Sequence, residues 1–139
     1  MAIDLVIYNK KNRVLLGLRK NPPAKDFWFV PGGRVRKNET LKNALRRLLK
    51  DEVNGCASGQ PEFLGVTEHF YDHSFFGTED STHYVVIAFR LRGQSKKKLL
   101  KNTRGQHIEW RWWEPDAAVQ NPHVHPFTKR YLKKTHLFR

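Results

Sequence analysis

The sequence has 139 residues and a mass of 16.4 kDa, which suits one compact domain. Hydrophobic residues make up 39% of it, which excludes wholesale disorder although 28% is charged. The single cysteine excludes an internal disulfide and a metal site made of thiolates alone. Apolar runs are far shorter than the ~20 residues of a membrane-spanning helix, and the N-terminus lacks the hydrophobic region of a signal peptide. We therefore expect a cytoplasmic protein without a membrane partner.

The charge balance favours anionic partners. Lys and Arg number 26 against 13 Asp and Glu, a formal net charge of +13. Charge alone does not separate the phosphates of a nucleic acid from those of a small nucleotide, because both feel the same attraction. Basic residues such as Lys96, Lys97 and Lys98 also fit an ordinary solvated surface.

The chain begins with a predicted hairpin. Ile3 to Tyr8 and Val14 to Leu18 are apolar and β-branched runs on either side of the turn-forming segment 9–12. A short apolar strand at 27–30 is expected to stop at Pro31-Gly32-Gly33. Proline lacks an N–H donor there, and the glycines allow backbone conformations closed to other residues.

The following elements are predicted from helical spacing and strand patterns. A helix should begin after the N-cap Asn38 and run to about Asn54, with Gly55 beyond its end. Mixed strands and helices predict one α/β (α+β) domain over residues 1–139, a sandwich with a mixed sheet. The later elements are strands at Glu62–Tyr71 and His83–Leu91, a polar loop at Gln94–Gly105, a strand around Trp110–Trp113, one or two helical turns at Pro115–Gln120, and a helix at Pro126–Phe138.

One carboxylate interrupts the apolar face of the first helix. The face consists of Leu41, Ala44, Leu45, Leu48 and Leu49. Glu52 lies four residues after Leu48, so a straight helix points it toward the protein. An ionised carboxylate is costly to bury unless a cation or an arginine meets it. The residues leave a second interpretation open, a glutamate at the helix end that reaches water or pairs with Arg47 or Arg34.

A longer pattern surrounds this glutamate. From Gly33 the sequence reads GRVRKNETLKNALRRLLKDEVNG. It resembles the signature box of the Nudix hydrolases, which has Gly, five residues, Glu, seven residues and then Arg-Glu-U-x-Glu-Glu-x-Gly-U, where U is bulky and apolar. Gly33, Glu39, Arg47, Leu49 and Glu52 occupy the expected places. The resemblance implies a Nudix-type α/β/α sandwich with a central mixed sheet.

The departures from the box carry chemical information. Leu48 replaces its first catalytic glutamate, Asp51 replaces the second, Asn54 replaces glycine and Gly55 takes the final apolar place. Leucine cannot bind metal, so a cluster of several divalent ions is not expected. Glu52 can still hold one Mg²⁺ with carbonyl and amide oxygens. A single metal bound to a pyrophosphate is better suited to stabilise a nucleoside diphosphate as it leaves than to activate a strong nucleophile that attacks phosphorus.

Further stretches are similar to one branch of that family, the GDP-mannose mannosyl hydrolases. They are Gly17-Leu18-Arg19, Asn21-Pro22-Pro23-Ala24, Trp28 to Val35, His69-Phe70-Tyr71-Asp72, Thr82 to Val86, and Gln106-His107. The resemblance implies hydrolysis of GDP-mannose, or a related GDP-sugar, at the anomeric carbon. The products would be GDP and free sugar, with inversion.

The resemblance also implies a metal site and a base. Mg²⁺, or Mn²⁺ in its place, would be held by the carbonyl of Gly32, the carboxylate of Glu52 and the side chain of Gln106. His107 would take a proton from the attacking water. An ordinary glycosidase needs two carboxyl groups, because an alkoxide leaves badly. GDP leaves far more easily, so one imidazole with a pKa near 6.5 is enough.

The remaining implied roles concern substrate binding and support of the box. Arg34 would stabilise the charge of the diphosphate, and Tyr84 and His69 would assist at the leaving group. Asp4 and Arg19 would contact mannose or the nucleotide. The supporting residues of the box are Gly33, Glu39, Arg47, which would orient Glu52, and Asp51. The resemblance also implies a homodimer.

Other functions compete with this one. A more usual Nudix pyrophosphohydrolase would split the diphosphate at phosphorus, with Asp51 in place of the missing carboxylate. The tryptophans 110, 112 and 113 could stack on the bases of a nucleic acid, although strand alternation favours core packing. His123 and His125 could begin a zinc site, but no further ligands stand at typical spacings. We expect a small nucleotide sugar as partner, not nucleic acid.

Overall fold

The computed structural model describes residues 1–19, 26–71, 82–94, 102–103 and 106–133, with only the backbone at 71, 82, 102–103 and 106–108. These residues form strands and helices in the order β1 (Ala2–Tyr8), β2 (Val14–Arg19), β3 (Trp28–Phe29), β4 (Gly32–Arg34), α1 (Leu41–Val53), β5 (Ala57–Tyr71), β6 (Thr82–Gly93), β7 (Asn102–Thr103), β8 (Gln106–Trp113), α2 (Pro115–Gln120) and α3 (Pro126–Leu132). Every helix among them is too short or too polar to cross a lipid bilayer.

The strands form a mixed sheet between two helical layers. Its order is β5-β6-β1-β2-β8-β7, with β4 on β1 and β3 on β2. β1 runs parallel to β6 and antiparallel to β4. Ile3, Leu5 and Ile7 pack with residues of α1 on one face, and Val6 packs with residues of α2 on the other. The predicted α/β/α sandwich is confirmed.

The first hairpin is confirmed, but its strands diverge. The side-chain oxygen of Asn9 accepts from the amides of Lys11 and Arg13 at 3.0 and 2.9 Å, which fixes the turn. β1 and β2 pair beside it, at Tyr8 and Val14. Farther along, β4 pairs with β1 and β3 pairs with β2, so the two strands separate toward the start of β1.

Strand β3 ends at Phe29, before Pro31, as predicted, but the special backbone conformations expected of Gly32 and Gly33 are wrong, because both glycines belong to the extended strand β4. Close packing explains them. A Cβ on Gly32 would collide with the carbonyl oxygen of Ile3, and a Cβ on Gly33 would lie 2.6 Å from Cδ2 of Leu48. The glycines therefore let β1 and α1 approach the strand.

Helix α1 begins later than predicted. Asn38 is not the N-cap, because its φ of 62° is left-handed. Thr40 has extended backbone and its Oγ1 accepts from the amide of Asn43 at 3.1 Å. This bond satisfies one of the free amides at the helix start.

The end of α1 agrees with the prediction, and its apolar face agrees in part. The helix ends at Val53, and the amide of Gly55, with φ of 66°, donates to the carbonyl of Leu49 at 2.7 Å. Leu41 does not join the buried face, since it is 42% exposed. The buried side chains of the helix are Ala44, Leu48 and Val53.

The second half of the chain differs from the prediction mainly in its element bounds. β5 and β6 extend beyond the predicted strands, and part of the predicted polar loop forms β7 against β8. α3 ends at Leu132, so the predicted extension toward Phe138 is wrong, and residues 134–139 lie outside the described part. Trp113 is buried on one face of β8 and Trp112 packs on the other, which confirms core packing.

Candidate active site

Strand β4 contributes to the candidate site on both faces of the sheet. The amide of Leu5 donates to the carbonyl of Pro31 at 2.8 Å, and Asp4 lies opposite Gly32. In an antiparallel ladder the bonded pairs alternate, so the carbonyls of Gly32 and Arg34 face away from β1. The Arg34 carbonyl accepts from Nη2 of Arg47 at 2.8 Å, as this direction requires.

An ion pair stabilises the contact between α1 and β4. Arg47 donates from Nε and Nη2 to the two carboxylate oxygens of Glu39 at 2.8 and 2.9 Å. These bonds, with one from the Arg36 amide, lower the pKa of Glu39 to about 2. Glu39 in turn raises the pKa of Arg47, and the charges of Asp51 and Glu52 act in the same direction. Two of the supporting residues predicted from the box, Glu39 and Arg47, thus form one connected unit with the Arg34 carbonyl.

The carboxylates of the box lie at the end of α1. Asp51 and Glu52 are both half-buried there, whereas Leu48 is buried in the core. Across the described ranges, no group of three His, Cys, Asp or Glu side chains is arranged to hold a metal ion. The Glu52 carboxylate and the Gly32 carbonyl are hard oxygen donors of the kind Mg²⁺ prefers. A single metal held by these two oxygens and the Gln106 side chain stays a prediction.

Arg34 and Tyr84 meet on the other face. Nη2 of Arg34 donates to the Tyr84 hydroxyl at 2.7 Å, and its guanidinium carbon lies 5.5 Å from the ring centroid. Arg34 is otherwise exposed, so its remaining N–H groups can meet an anion. Tyr84 on β6 lies opposite His69 on β5. Three predicted residues therefore share one region of the sheet.

His69 is enclosed instead of solvated. It is 5% exposed, its Nε2 lies 3.1 Å from the Thr67 hydroxyl, and its ring stacks on Phe127 with centroids 4.3 Å apart. Burial, helped by the charge of Arg130, lowers its pKa to about 4. The imidazole is therefore neutral at pH 7 and can act through hydrogen bonds but not as a cation.

Asp4 and Arg19 lie on opposite faces. Tyr131 donates from its hydroxyl to Oδ2 of Asp4 at 2.8 Å. Burial raises the pKa of Asp4 to about 7 against the effect of this bond. Alternation along β2 puts half-buried Arg19 on the side of Leu15, which packs with α1, and burial lowers the pKa of Arg19.

An aromatic cluster from α3 was missed by sequence reasoning. His125 stacks on Phe29 with centroids 4.9 Å apart, and its Nδ1 accepts from the amide of Phe127 at 3.2 Å. Burial, and secondarily the nearby His69, lower the pKa of His125 to about 4. The helical spacing of Phe127 and Tyr131 was visible, but it indicated only core packing. Their contacts with His69 and Asp4 join residues far apart in sequence.

The predicted base and amide ligand can be placed only by their backbone. Gln106 and His107 begin β8, where they pair with β7, and the next residue, Ile108, lies opposite Arg19. Their side chains lie outside the described residues, so their roles stay predictions.

The NUDIX domain family model matches residues 1–135. The chain belongs to the Nudix family. It is 40% identical over 132 residues to the low-salt glycan biosynthesis protein Agl8 of Haloferax volcanii, which covers 95% of this chain and 79% of that protein. It is 22% identical to an RNA pyrophosphohydrolase of Orientia tsutsugamushi, covering 99% and 90% of the two chains. A MutT Nudix hydrolase structure from Burkholderia pseudomallei shares the fold, with a TM-score of 0.71, 22% identity and coverage of 94% and 93%.

Proposed function

We propose that this Nudix hydrolase cleaves GDP-mannose, or a related GDP-sugar, at the anomeric carbon. The observation that carries the proposal is the burial of Leu48, which is 1% exposed in the core beneath α1. The place of the box's first glutamate is thereby closed to metal. The remaining carboxylates favour a reaction in which the metal only has to help a nucleotide leave.

The proposed metal ligands are the Gly32 carbonyl, the Glu52 carboxylate and the side chain of Gln106. Bound there, Mg²⁺ would neutralise charge on the diphosphate leaving group. Arg47 supports this arrangement, because its bonds to Glu39 and to the Arg34 carbonyl hold α1 against β4.

Arg34 is suited to bind the diphosphate. Its bond to Tyr84 fixes one end of the guanidinium, and the other donors face solvent. A fixed guanidinium stabilises negative charge that grows on the phosphate oxygens as the glycosidic bond breaks. Neutral His69 adds a hydrogen-bonding group beside Tyr84 without adding charge.

The proposed chemistry needs a single base. His107 takes one proton from water as the water oxygen forms its bond to the anomeric carbon on the face opposite GDP. The bond between that carbon and the phosphate oxygen breaks, and its electron pair leaves with GDP. The product is the inverted free sugar. A glycan-related role is also in keeping with the name of the Haloferax volcanii relative.

The alternative is hydrolysis at phosphorus. Asp51 favours it, since this residue is half-buried beside Glu52 and provides a second acidic group. The similarity to an RNA pyrophosphohydrolase points the same way. The homodimer and the cytoplasmic location implied by the resemblance stay predictions.

The products distinguish the two reactions. The purified protein is incubated with GDP-mannose and Mg²⁺, and the products are separated by anion-exchange chromatography. GDP with free mannose supports the proposal, whereas GMP with mannose 1-phosphate supports the alternative. Parallel incubations with other nucleotide sugars define which sugar and base are preferred.

A further inference from the structure

A polar pocket lies at the end of β1 and β6 opposite the candidate active site. Its volume is about 400 Å³, within the usual range for small-molecule sites. Tyr8, Arg90 and Arg92 line it, and we call it the far pocket. Asp4 and Tyr8 are four residues apart on one strand, so the far pocket begins about 13 Å from the candidate active site.

The topology places the far pocket at the carboxyl ends of two parallel strands. β1 and β6 run parallel, with Tyr8 opposite Arg92. Ligands of open α/β sheets commonly bind just outside such strand ends. The turn after β1 is fixed here by the two bonds to Asn9, so Lys10 extends from a defined backbone into the same region.

Positive charge dominates the lining. Lys10, Arg90 and Arg92 contribute three cations, and Glu62 contributes one carboxylate. In the part of the chain that the structure describes, none of these cations forms an ion pair. Glu62 lies opposite Arg90 in the sheet, but cations that outnumber the carboxylates of a concave surface still attract an anion from solution. The lining keeps a surplus of positive charge, which suits a phosphate dianion.

The arrangement of Arg90 adds direction to this charge. Its guanidinium lies over the ring of Tyr8, 4.5 Å from the centroid. This contact with the ring uses none of the N–H donors in a hydrogen bond, so they can donate to phosphate oxygens. Asn12, Gln60 and Glu62 add groups that can bind hydroxyls.

We propose that the far pocket binds a phosphate monoester with a hydroxyl-bearing body, as a site separate from the Nudix site. Three cations would hold the phosphate, and the amides and Glu62 would hold the hydroxyls. Sugar phosphates and mononucleotides both have this chemistry. The proposal does not depend on the reaction at the Nudix site.

The test is a titration of the full chain followed by ¹⁵N-¹H NMR. The probes are inorganic phosphate, glucose 1-phosphate and GMP, read from the amide signals of Asn9, Asn12 and Gln60. We expect saturable shifts with at least one ester. The ester that binds more tightly shows whether the far pocket prefers a sugar phosphate or a mononucleotide. Arg92→Gln should weaken binding about tenfold or more, since it removes hydrogen bonds to a charged group. Turnover of GDP-mannose should not change.

The matched control is Arg46→Gln, which removes the same charge from an exposed position on α1. It should leave the affinity as it is in the wild type. If Arg92→Gln does not fold, Lys10→Gln, in an exposed turn, replaces it in the same titration and should also weaken binding. The proposal is overturned if neither ester gives saturable shifts at these amides. It is also overturned if Arg46→Gln weakens binding as much as Arg92→Gln, because the protein's overall charge would then explain the attraction.

Discussion

Restoring the missing glutamate of the box, by Leu48→Glu, should strongly destabilise the protein rather than repair a metal site. Leu48 is 1% exposed and packs with Leu5 and Val53. Losing a buried leucine costs about 2 to 3 kcal/mol. A carboxyl group left there without partners costs about 1 to 3 kcal/mol more even when neutral, and more when ionised. We therefore expect a loss of about 3 to 6 kcal/mol, a large share of the roughly 5 to 15 kcal/mol of an ordinary domain.

Urea unfolding followed by circular dichroism measures this loss. Leu41→Glu is the control, because it makes the same change on the same helix at a residue that is 42% exposed. It should change the free energy of unfolding by less than about 0.5 kcal/mol. Leu48→Met keeps the volume and should cost less than about 1.5 kcal/mol. A Leu48→Glu protein that is as stable as Leu41→Glu and binds a second metal ion would refute the assignment of Leu48 to the core.

Three further predictions concern the site. His107→Gln should slow turnover by roughly 10²–10⁴ with an unchanged circular dichroism spectrum, because it removes the general base; an unchanged rate would remove His107 from the reaction. Glu52→Gln should raise the Mg²⁺ concentration needed for half-maximal activity much more than Asp51→Asn does, and equal effects would favour attack at phosphorus. The free energy of unfolding should fall as the pH is lowered from 7 to 4. The pKa values of His69 and His125 are about 4 in the folded protein, so the unfolded chain, with its pKa near 6.5, binds more protons in that window. Each histidine accounts for up to about 3 kcal/mol, and urea unfolding that is unchanged between pH 7 and pH 5 would contradict their burial.

Local signals predicted what depends on nearby residues. Helical periodicity predicted Ala44 and Leu48 on the apolar face, and α1 buries both, together with Val53, which the predicted face did not include. The first hairpin was equally visible, because its turn is closed by one asparagine. The prediction for Gly32 and Gly33 was wrong because glycine occurs both in turns and where two segments pack closely. Here the close contacts are with Ile3 and Leu48, which are distant in sequence.

Long-range contacts could not be predicted from spacing. Tyr131 binds Asp4, which is 127 positions away in the sequence. His69 on β5 stacks on Phe127 of α3. These contacts enclose two predicted site residues, and the burial that accompanies them alters the pKa values of both. The N-cap was misplaced for a related reason, because Glu39 binds Arg47 and the Arg36 amide and shapes the segment that contains Asn38.

The most direct test of the central claim is to run the reaction in H₂¹⁸O with GDP-mannose and Mg²⁺ and to locate the label by mass spectrometry. Attack at the anomeric carbon predicts ¹⁸O in the free mannose and none in the GDP. Proton NMR at early times should show the sugar anomer opposite to that of the substrate. Label in GMP or in mannose 1-phosphate would place the attack at phosphorus and contradict the proposed function.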